Sequence, residues 1–435
     1  MKSNLLNISS VHHCVSREYN LTIKQELKHL THDEFESLKE LSHIAKNMYN
    51  VALHNIRQHF FDTGLCLNYY KNYHLCKSNK NYRILNSNMA QQIIKRANEA
   101  FSSFFGLIKL KKQGCYDAKV KIPQYLPKEG YTTLEIGFVR LNDNKLILPF
   151  SNAYRKAHKP IEIPLPPVLR GKTVKEIKVI PKLDAAYFEI QYTYETSQRE
   201  TPNTNAGNIC AAAVDLGVDN LMTVVVSDGR SVIVDGKRLK SVNQWYNKQN
   251  AALQSLKDKN KVNGLTKTQK RITRKRNNQV NDYISKACRY IINFCLLSNI
   301  ATLVLGYSSD FQRDSNIGAV NNQKFVNIPF GRIKGKLEYL CQINGMTFVV
   351  QEESYTSKAS FFDADDIPIY GEAGASETLF TGKRVNRGLY KTAGGYRFNA
   401  DVNGALNILR KSKVVDLNVL YRRGVVDTPK RVKVA

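Results

Sequence analysis

The 435-residue sequence predicts a multidomain α/β protein: an N-terminal antiparallel, barrel-like β domain carrying a helical insert, then a second domain of mixed strands and helices. Three observations predict it. Apolar residues recur at helical spacing between residues 31 and 112, whereas from Ala118 to Glu195 their period is two. The stretch TSQRETPNTNAGN, Thr196 to Asn208, has no periodicity and is rich in Thr, Asn, Pro and Gly, which marks a linker. Beyond it, three closely spaced apolar runs precede two long helical stretches and further strands.

Taken in order, Leu21–Lys24 reads as a short strand. Thr31 with Glu34 three residues later makes a capping box, and Phe35, Leu38, Leu41, Ala45, Met48, Ala52, Ile56 and Phe60 form one apolar face, so a long helix starts near Asp33. A second runs from about Asn88 to Leu110, with Met89, Ile93, Ala97, Ala100, Phe101, Phe104 and Phe105 on its buried stripe. Between them Tyr69, Tyr70, Tyr73 and Tyr82 alternate with Lys71, Lys77, Lys80 and Arg83. That texture suits stacking on bases beside phosphate contacts, and equally suits tyrosines packed with their hydroxyls at the surface. KVKIPQY, TTLEIGFVRL, KLILPF, VKEIKVIP and AYFEIQYTYE are strand candidates, with a hairpin turn at Asn142–Asp143. After the linker come strands AAAVDL, LMTVVVS and SVIVDGK, helices at about Val242–Asp258 and Lys267–Leu297, strands ATLVLG and MTFVVQE, a loop-rich stretch from Ser354 to Phe398 and a helix at Asp401–Lys411. Three antiparallel strands, a helical connection and then more strands and helices is the order of an RNase H-like domain.

Charge narrows the class. With 65 Lys+Arg against 37 Asp+Glu the net charge is +28, which suits a polyanionic partner whose condensed counterions are released on binding. The run KTQKRITRKR adds Lys270, Arg271, Arg274, Lys275 and Arg276 as candidate nucleic-acid contacts. No run of about 18 apolar residues and no signal-peptide core stands in the sequence, so a cytoplasmic, nucleoid-associated protein is expected, with no membrane partner. The eight cysteines never form a CxxC pair and are expected to be reduced and buried.

The candidate chemistry lies in acids. Asp215 ends an apolar strand in AAAVDLGVDN, Glu352 and Glu353 follow another in EESYTSK, and Asp401 opens an apolar helix in FNADVNGALNI. Carboxylate oxygens are the hard ligands Mg²⁺ prefers, and two such ions can activate water and stabilise the leaving oxygen of a phosphodiester. Adjacent strand residues face opposite sides, so only one of Glu352 and Glu353 is expected at the metals, with Glu353 favoured because it lies nearer the loop.

AVDLGVDN, TRKRNNQVNDYISKACRYI, GYSSDFQ, NNQKFVNIPFGRI, EESYTSKASFFD, GKRVNRGLY and NADVNGALNILRK together resemble the TnpB (OrfB) proteins of insertion sequences, relatives of type V CRISPR effectors. The N-terminal AQQIIKRANEAFSSFFGLIK and AKVKIPQYLPKEGY are similar in style, so the resemblance spans most of the chain. It implies a wedge-like β-barrel domain at residues 1–30 and 113–200, a helical recognition insert at 31–112, and an RNase H-like RuvC nuclease domain at 209–435. It also implies a monomeric, Mg²⁺- or Mn²⁺-dependent endonuclease guided by an RNA from the element's own end, cutting double-stranded DNA beside a short adjacent motif. Asp215 and Asp401 fall on the family's first and last catalytic aspartates, with Asn403 supporting the latter. Lys95, Arg96, Lys358, Lys383, Arg384 and Arg387 join the expected nucleic-acid contacts.

Two departures stand out. Where most relatives hold the middle glutamate this chain has Gly306, and residues 354–398, which include Ala359 at a position where cysteine is frequent, replace the usual CxxC…CxxC zinc ribbon without a cysteine or histidine, so no zinc is expected. The first departure leaves three readings: a nuclease whose glutamate has moved to Glu352 or Glu353, a nuclease-inactive RNA-guided repressor, or a DNA-joining transposase.

Overall fold

The computed structural model describes residues 18–137, 141–142, 144–197, 210–308, 327–369, 371–372, 375–386 and 388–434. Two compact units divide the chain, residues 1–197 and 198–435.

In the first unit β1 (Glu18–Glu26) leads into α1 (His32–Thr63), whose Thr31–Glu34 capping box is formed in both directions. Short α2 (Tyr69–Cys76) and α3 (Lys80–Ile84) precede α4 (Ser87–Lys112), and each of the three starts behind an asparagine whose side chain accepts a backbone N–H. Leu38, Leu41, Met48, Leu53 and Ile56 of α1 share one core with Met89, Ile93, Ala97 and Phe101 of α4. The strands β2 (Leu134–Ile136), β3 (Leu141–Asn142), β4 (Lys145–Ile147), β5 (Glu162–Pro164), β6 (Val174–Lys182) and β7 (Tyr187–Ser197) follow.

The expected barrel does not close among the described residues. The sheets are β1-β7-β6-β2 and a separate β3-β4-β5. One reason lies at KVKIPQY, which is not a strand. Arg57, Asn50 and Lys46 of α1 donate to the carbonyls of Pro123, Leu126 and Lys128, and Asn50 also accepts the Leu126 N–H. Helix side chains thus satisfy backbone groups that a barrel ladder would have used, and Pro123 and Pro127 have no N–H to offer one.

In the second unit β8 (Cys210–Leu216), β9 (Asn220–Val226) and β10 (Ser231–Asp235) form an antiparallel meander. Helices α5 (Lys237–Lys259) and α6 (Lys267–Leu297) lead to β11 (Ile300–Gly306), parallel to β8, and α7 (Phe330–Ile343) leads to β12 (Thr347–Gln351), parallel to β11. After a small sheet of β13 (Lys383–Asn386), β14 (Leu389–Lys391) and β15 (Arg397–Asn399) come α8 (Ala400–Ser412), α9 (Asn418–Arg423) and β16 (Lys430–Val432), which pairs parallel to β10. The main sheet runs β12-β11-β8-β9-β10-β16.

Both faces of that sheet are covered, so its central strands are apolar throughout rather than alternating with polar residues. Ala212, Val214 and Leu216 of β8 and Leu303 and Leu305 of β11 pack with α6 and α7. Ala211, Ala213 and Val304 pack on the other face with Val402, Leu406 and Leu409 of α8. By strand alternation Asp215 and Gly306 belong to the α8 face.

The described residues between 354 and 398 are tied together by side-chain hydrogen bonds. Asp365 accepts hydrogen bonds from the Ser360 and Thr381 N–H groups and the Thr381 hydroxyl, Asp363 accepts from the Ser360 hydroxyl and the Ala393 N–H, and buried Tyr390 donates to the Lys358 carbonyl. These carboxylates cross-link the segment from within. No described helix is long and apolar enough to cross a membrane.

Candidate active site

The carboxyl ends of parallel strands β8, β11 and β12 lie side by side, the usual position for a site in such a sheet. Register pairs Val214 with Leu305 and Gly306 with Gln351. Asp215 and Gly306 are therefore at one level, with Glu353 two residues past the end of β12. Helix α8 comes down on this edge with Asp401 in its first turn, held there by Asn399, whose side chain accepts the Asp401 and Val402 N–H groups.

Two glycines permit the approach. A Cβ placed on Gly404 would stand 3.0 Å from Oδ2 of Asp215. One placed on Gly306 would stand 2.4 Å from Cδ1 of Ile408 and 3.1 Å from Oε2 of Glu353. The space a side chain at 306 would enter is thus taken by Ile408 and by the carboxylate of Glu353.

Electrostatics bind the three acids into one system. Burial raises the Asp215 carboxyl well above the usual carboxylate range; the Glu353 and Asp401 charges raise it further, while Arg384 and the Leu216 N–H act in the opposite direction. Burial, with the adjacent Glu352 charge, raises Glu353 to about 7. Glu352 turns elsewhere: it accepts from Lys411 Nζ at 2.5 Å and from the Ser354 N–H. Burial alone would raise its carboxyl too, but those hydrogen bonds outweigh it and hold the group below its ordinary value.

Asp401 is already engaged. Arg384 of β13 donates to Oδ1 at 2.9 Å and Asn220 of β9 donates to Oδ2 at 2.5 Å. No group of three or more His, Cys, Asp or Glu side chains among the described residues is arranged to hold a metal ion. The donor set nevertheless suits a hard dication: it is all carboxylate, and its mutual repulsion is what such an ion would relieve. Arg384 already supplies positive charge to one of these carboxylates, Asp401.

Behind the site, buried Asn403 accepts the Phe361 N–H and donates to the Ala359 carbonyl, and Asn407 donates to the Thr356 and Ala359 carbonyls. Sequence reasoning missed Asn407, one helical turn after Asn403, although two asparagines on the face of an otherwise apolar helix are a signal of buried backbone contacts. It missed Asn220 and Lys411 as well, whose partners lie far off in sequence.

The expected nucleic-acid contacts are scattered. In the first unit Lys71, Lys77, Lys80 and Arg83 are exposed, as is Tyr70 at 74%, whereas Tyr69, Tyr73 and Tyr82 pack against one another and the core. Lys95 pairs with Glu99, and Arg96 is committed to Glu135, the Thr132 hydroxyl and the face of Tyr49. In the second unit Arg271 and Lys275 are exposed on α6, Lys270 and Arg274 partly so, Lys275 lies over Trp245, and Arg276 is half-buried. Lys358 and Lys383 are exposed, and Arg387 lies outside the described residues.

Fold and site together define a multidomain α/β protein with a carboxylate cluster at the ends of parallel strands. A family model described as "Probable transposase", OrfB_IS605, matches residues 189–312, and one described as "Cas12f1-like, TNB domain" matches residues 330–408. The TnpB-like protein ORF457 of Acidianus two-tailed virus is 24% identical over 428 residues, covering 88% of this chain and 84% of that protein. A cryo-EM structure of a Cas12f1–sgRNA–target DNA complex aligns with a TM-score of 0.52 at 15% identity, covering 87% of this chain and 83% of that one. By these matches the chain is similar to TnpB-family proteins.

Proposed function

We propose that this protein is an RNA-guided DNA endonuclease of a mobile element, in which Asp215, Glu353 and Asp401 hold Mg²⁺ or Mn²⁺ for hydrolysis of target DNA next to a short adjacent motif. The observation that carries this reading is the Glu353 carboxylate filling the side-chain space of Gly306, between Asp215 and α8. A glutamate is thereby present at the level of Asp215 although the strand that closes there ends in glycine. The sheet order β10-β9-β8-β11-β12 is the RNase H-like order, which supports reading the second unit as a RuvC-type nuclease domain and residues 354–398 as its zinc-free insert. The RNA and DNA partners rest on the family and on the aligned complex, which contains an sgRNA and target DNA. The first unit then serves as wedge and helical recognition region, with its exposed lysines and Tyr70 toward RNA.

A bound divalent ion supplies activation of water and neutralisation of charge on the phosphate. The chain's own residues prepare for it. Asp215 and Glu353 sit where burial and neighbouring carboxylates hold their protons to higher pH than usual, and Asn220 orients Asp401 from the far side. Arg384, tied to Asp401 at 2.9 Å, is placed to exchange that carboxylate for a phosphate oxygen.

The test is to express the chain with the flanking DNA of its element, sequence the copurifying RNA, and challenge the complex with a plasmid carrying the matching target in Mg²⁺. Cleavage that stops in EDTA and in Asp215→Ala is expected. Guided binding without cleavage would make the protein a repressor, strand-transfer products would make it a transposase, and absence of a discrete RNA would remove the guide.

A further inference from the structure

A second polar site lies on the α6–α7 side of the second unit, away from the carboxylates. Arg276, Asn277 and Val280 of α6 and Asn327, Pro329 and Arg332 at the start of α7 line a cavity of about 180 Å³. Arg276 is built in. Its Nε donates to Asn243 at 2.8 Å, its Nη1 to Asn277 at 3.1 Å and its Nη2 to the Asn327 carbonyl at 2.8 Å, and its guanidinium lies over the Tyr246 ring. Arg332 enters from α7, steadied by one hydrogen bond to Asn281 at 2.5 Å.

Two guanidinium groups are therefore brought to one cavity, close enough that the charge of Arg332 adds to burial in making Arg276 a weaker base. Among the described residues neither pairs with a carboxylate. Their hydrogen-bond partners among the described residues are neutral amides and a carbonyl, which fix the forks without cancelling their charge. Holding like charges together costs free energy, and an anion would recover it.

We propose that this cavity is a phosphate-binding pocket that takes one backbone phosphodiester of a bound nucleic acid. The walls select that chemistry. Among the described residues Val280 and Pro329 are the only apolar ones in the lining and none is aromatic, so these walls offer a nucleobase nothing to stack on. Two planar forks with an amide between them match the oxygens of a tetrahedral anion. Exposed Arg271 and Lys275 on the same helix extend positive charge toward neighbouring phosphates. The proposal rests on the nucleic-acid reading above, and both guide RNA and target DNA present the required group.

The experiment uses the full chain with two probes, a 30-nucleotide single-stranded RNA and a 30-base-pair DNA duplex of mixed sequence, titrated between 50 and 300 mM KCl. Arg332 is exposed, so Arg332→Gln should fold normally, and its melting temperature checks this. Losing one phosphate contact should reduce the slope of log affinity against log salt by about 0.9 for the duplex or about 0.7 for the single strand. A reduction with RNA alone assigns the pocket to the guide strand, and with DNA alone to the target. Asn277→Asp, which sets a carboxylate between the forks, should weaken the same probe more than Arg332→Gln does. Unchanged slopes for both variants with both probes would overturn the pocket while leaving nucleic-acid binding intact. If the parent protein binds neither probe in a salt-dependent way, the pocket and the function proposed above fall together.

Discussion

Arg384 and Asp401 form an ion pair at 2.9 Å across the edge of the carboxylate cluster, while Asn220 takes the second oxygen of Asp401. A divalent ion that uses Asp401 must displace or share that guanidinium. Arg384→Ala should therefore raise the protein's affinity for Mg²⁺ and at the same time weaken its hold on DNA. Measured as melting temperature in EDTA against 5 mM Mg²⁺, the rise should be larger in the variant than in the parent, because a ligand stabilises in proportion to how far its concentration exceeds its dissociation constant. Equal rises would show that Arg384 does not compete with the ion.

The adjacent acids at 352 and 353 should separate cleanly. Glu353→Gln and Asp215→Asn should each lower guided cleavage by on the order of 10²–10³-fold, since each removes charge at the reacting phosphate. Glu352→Gln should keep cleavage within a few-fold. Its cost appears in stability instead, about 1–3 kcal/mol in a denaturant titration, because Lys411, only 9% exposed, loses its charged partner.

Glu353 should also make stability depend on pH in the absence of divalent ions. Its carboxyl is raised to about 7 in the folded protein. Below about pH 4.5 it is protonated in both folded and unfolded chains and exacts no penalty. Between there and about pH 7 the unfolded chain loses the proton first, so stability falls by up to about 3 kcal/mol and then stays level. Glu353→Gln should accordingly be more stable than the parent at pH 8 in EDTA, and the advantage should vanish at pH 4.5. A constant difference between the two proteins across that range would contradict the raised value.

Tyr70 and Tyr73 offer a contrast within one short helix. Tyr70 is exposed and Tyr73 packs against Tyr69 and Tyr82. Tyr70→Ala should weaken RNA binding by about 1–3 kcal/mol with little change in melting temperature. Tyr73→Ala should do the reverse, lowering the melting temperature while RNA affinity per folded molecule holds.

Asp365 should behave as a structural cross-link rather than a metal ligand. Asp365→Ala removes the acceptor for Ser360 and Thr381, so hydrogen exchange should rise across residues 354–398, while chelators should leave the parent's exchange there unchanged.

Local signals in the sequence were reliable where the structure is local. The Thr31–Glu34 box opens the longest described helix, and the apolar runs AAAVDL and ATLVLG are central strands. Helix α7 shows the same logic overlooked: Phe330, Ile333, Leu337 and Leu340 have helical spacing, hidden behind Pro329, Gly331 and Gly335. What could not be read was who pairs with whom. A period of two says that a segment has a face, not that it joins a barrel, and the Pro123 carbonyl of KVKIPQY and that of Leu126 just after it are bonded by α1 instead. Arg96 looks like a surface cation in its motif, and Glu135, 39 residues away, makes it internal. Alternation foretold that Glu352 and Glu353 would part and closeness to the loop favoured Glu353, but the physical cause, Lys411 drawing Glu352 away, lies 59 residues off in sequence.

The bare backbone at Gly306 ties three positions into one choice. A glutamate at 306 and one at 353 would compete for the same volume, and Ile408 narrows it further, so one arrangement cannot be exchanged for the other by a single replacement without a crowded or an acid-poor intermediate. Adding a side chain at 306 alone should therefore harm the protein, whereas adding it together with a small residue at 353 and at 408 should be tolerated. Among naturally occurring relatives the same exclusion should be visible as a rule of co-occurrence: a side chain larger than glycine at the end of this strand goes with the loss of the acid two residues beyond the next one.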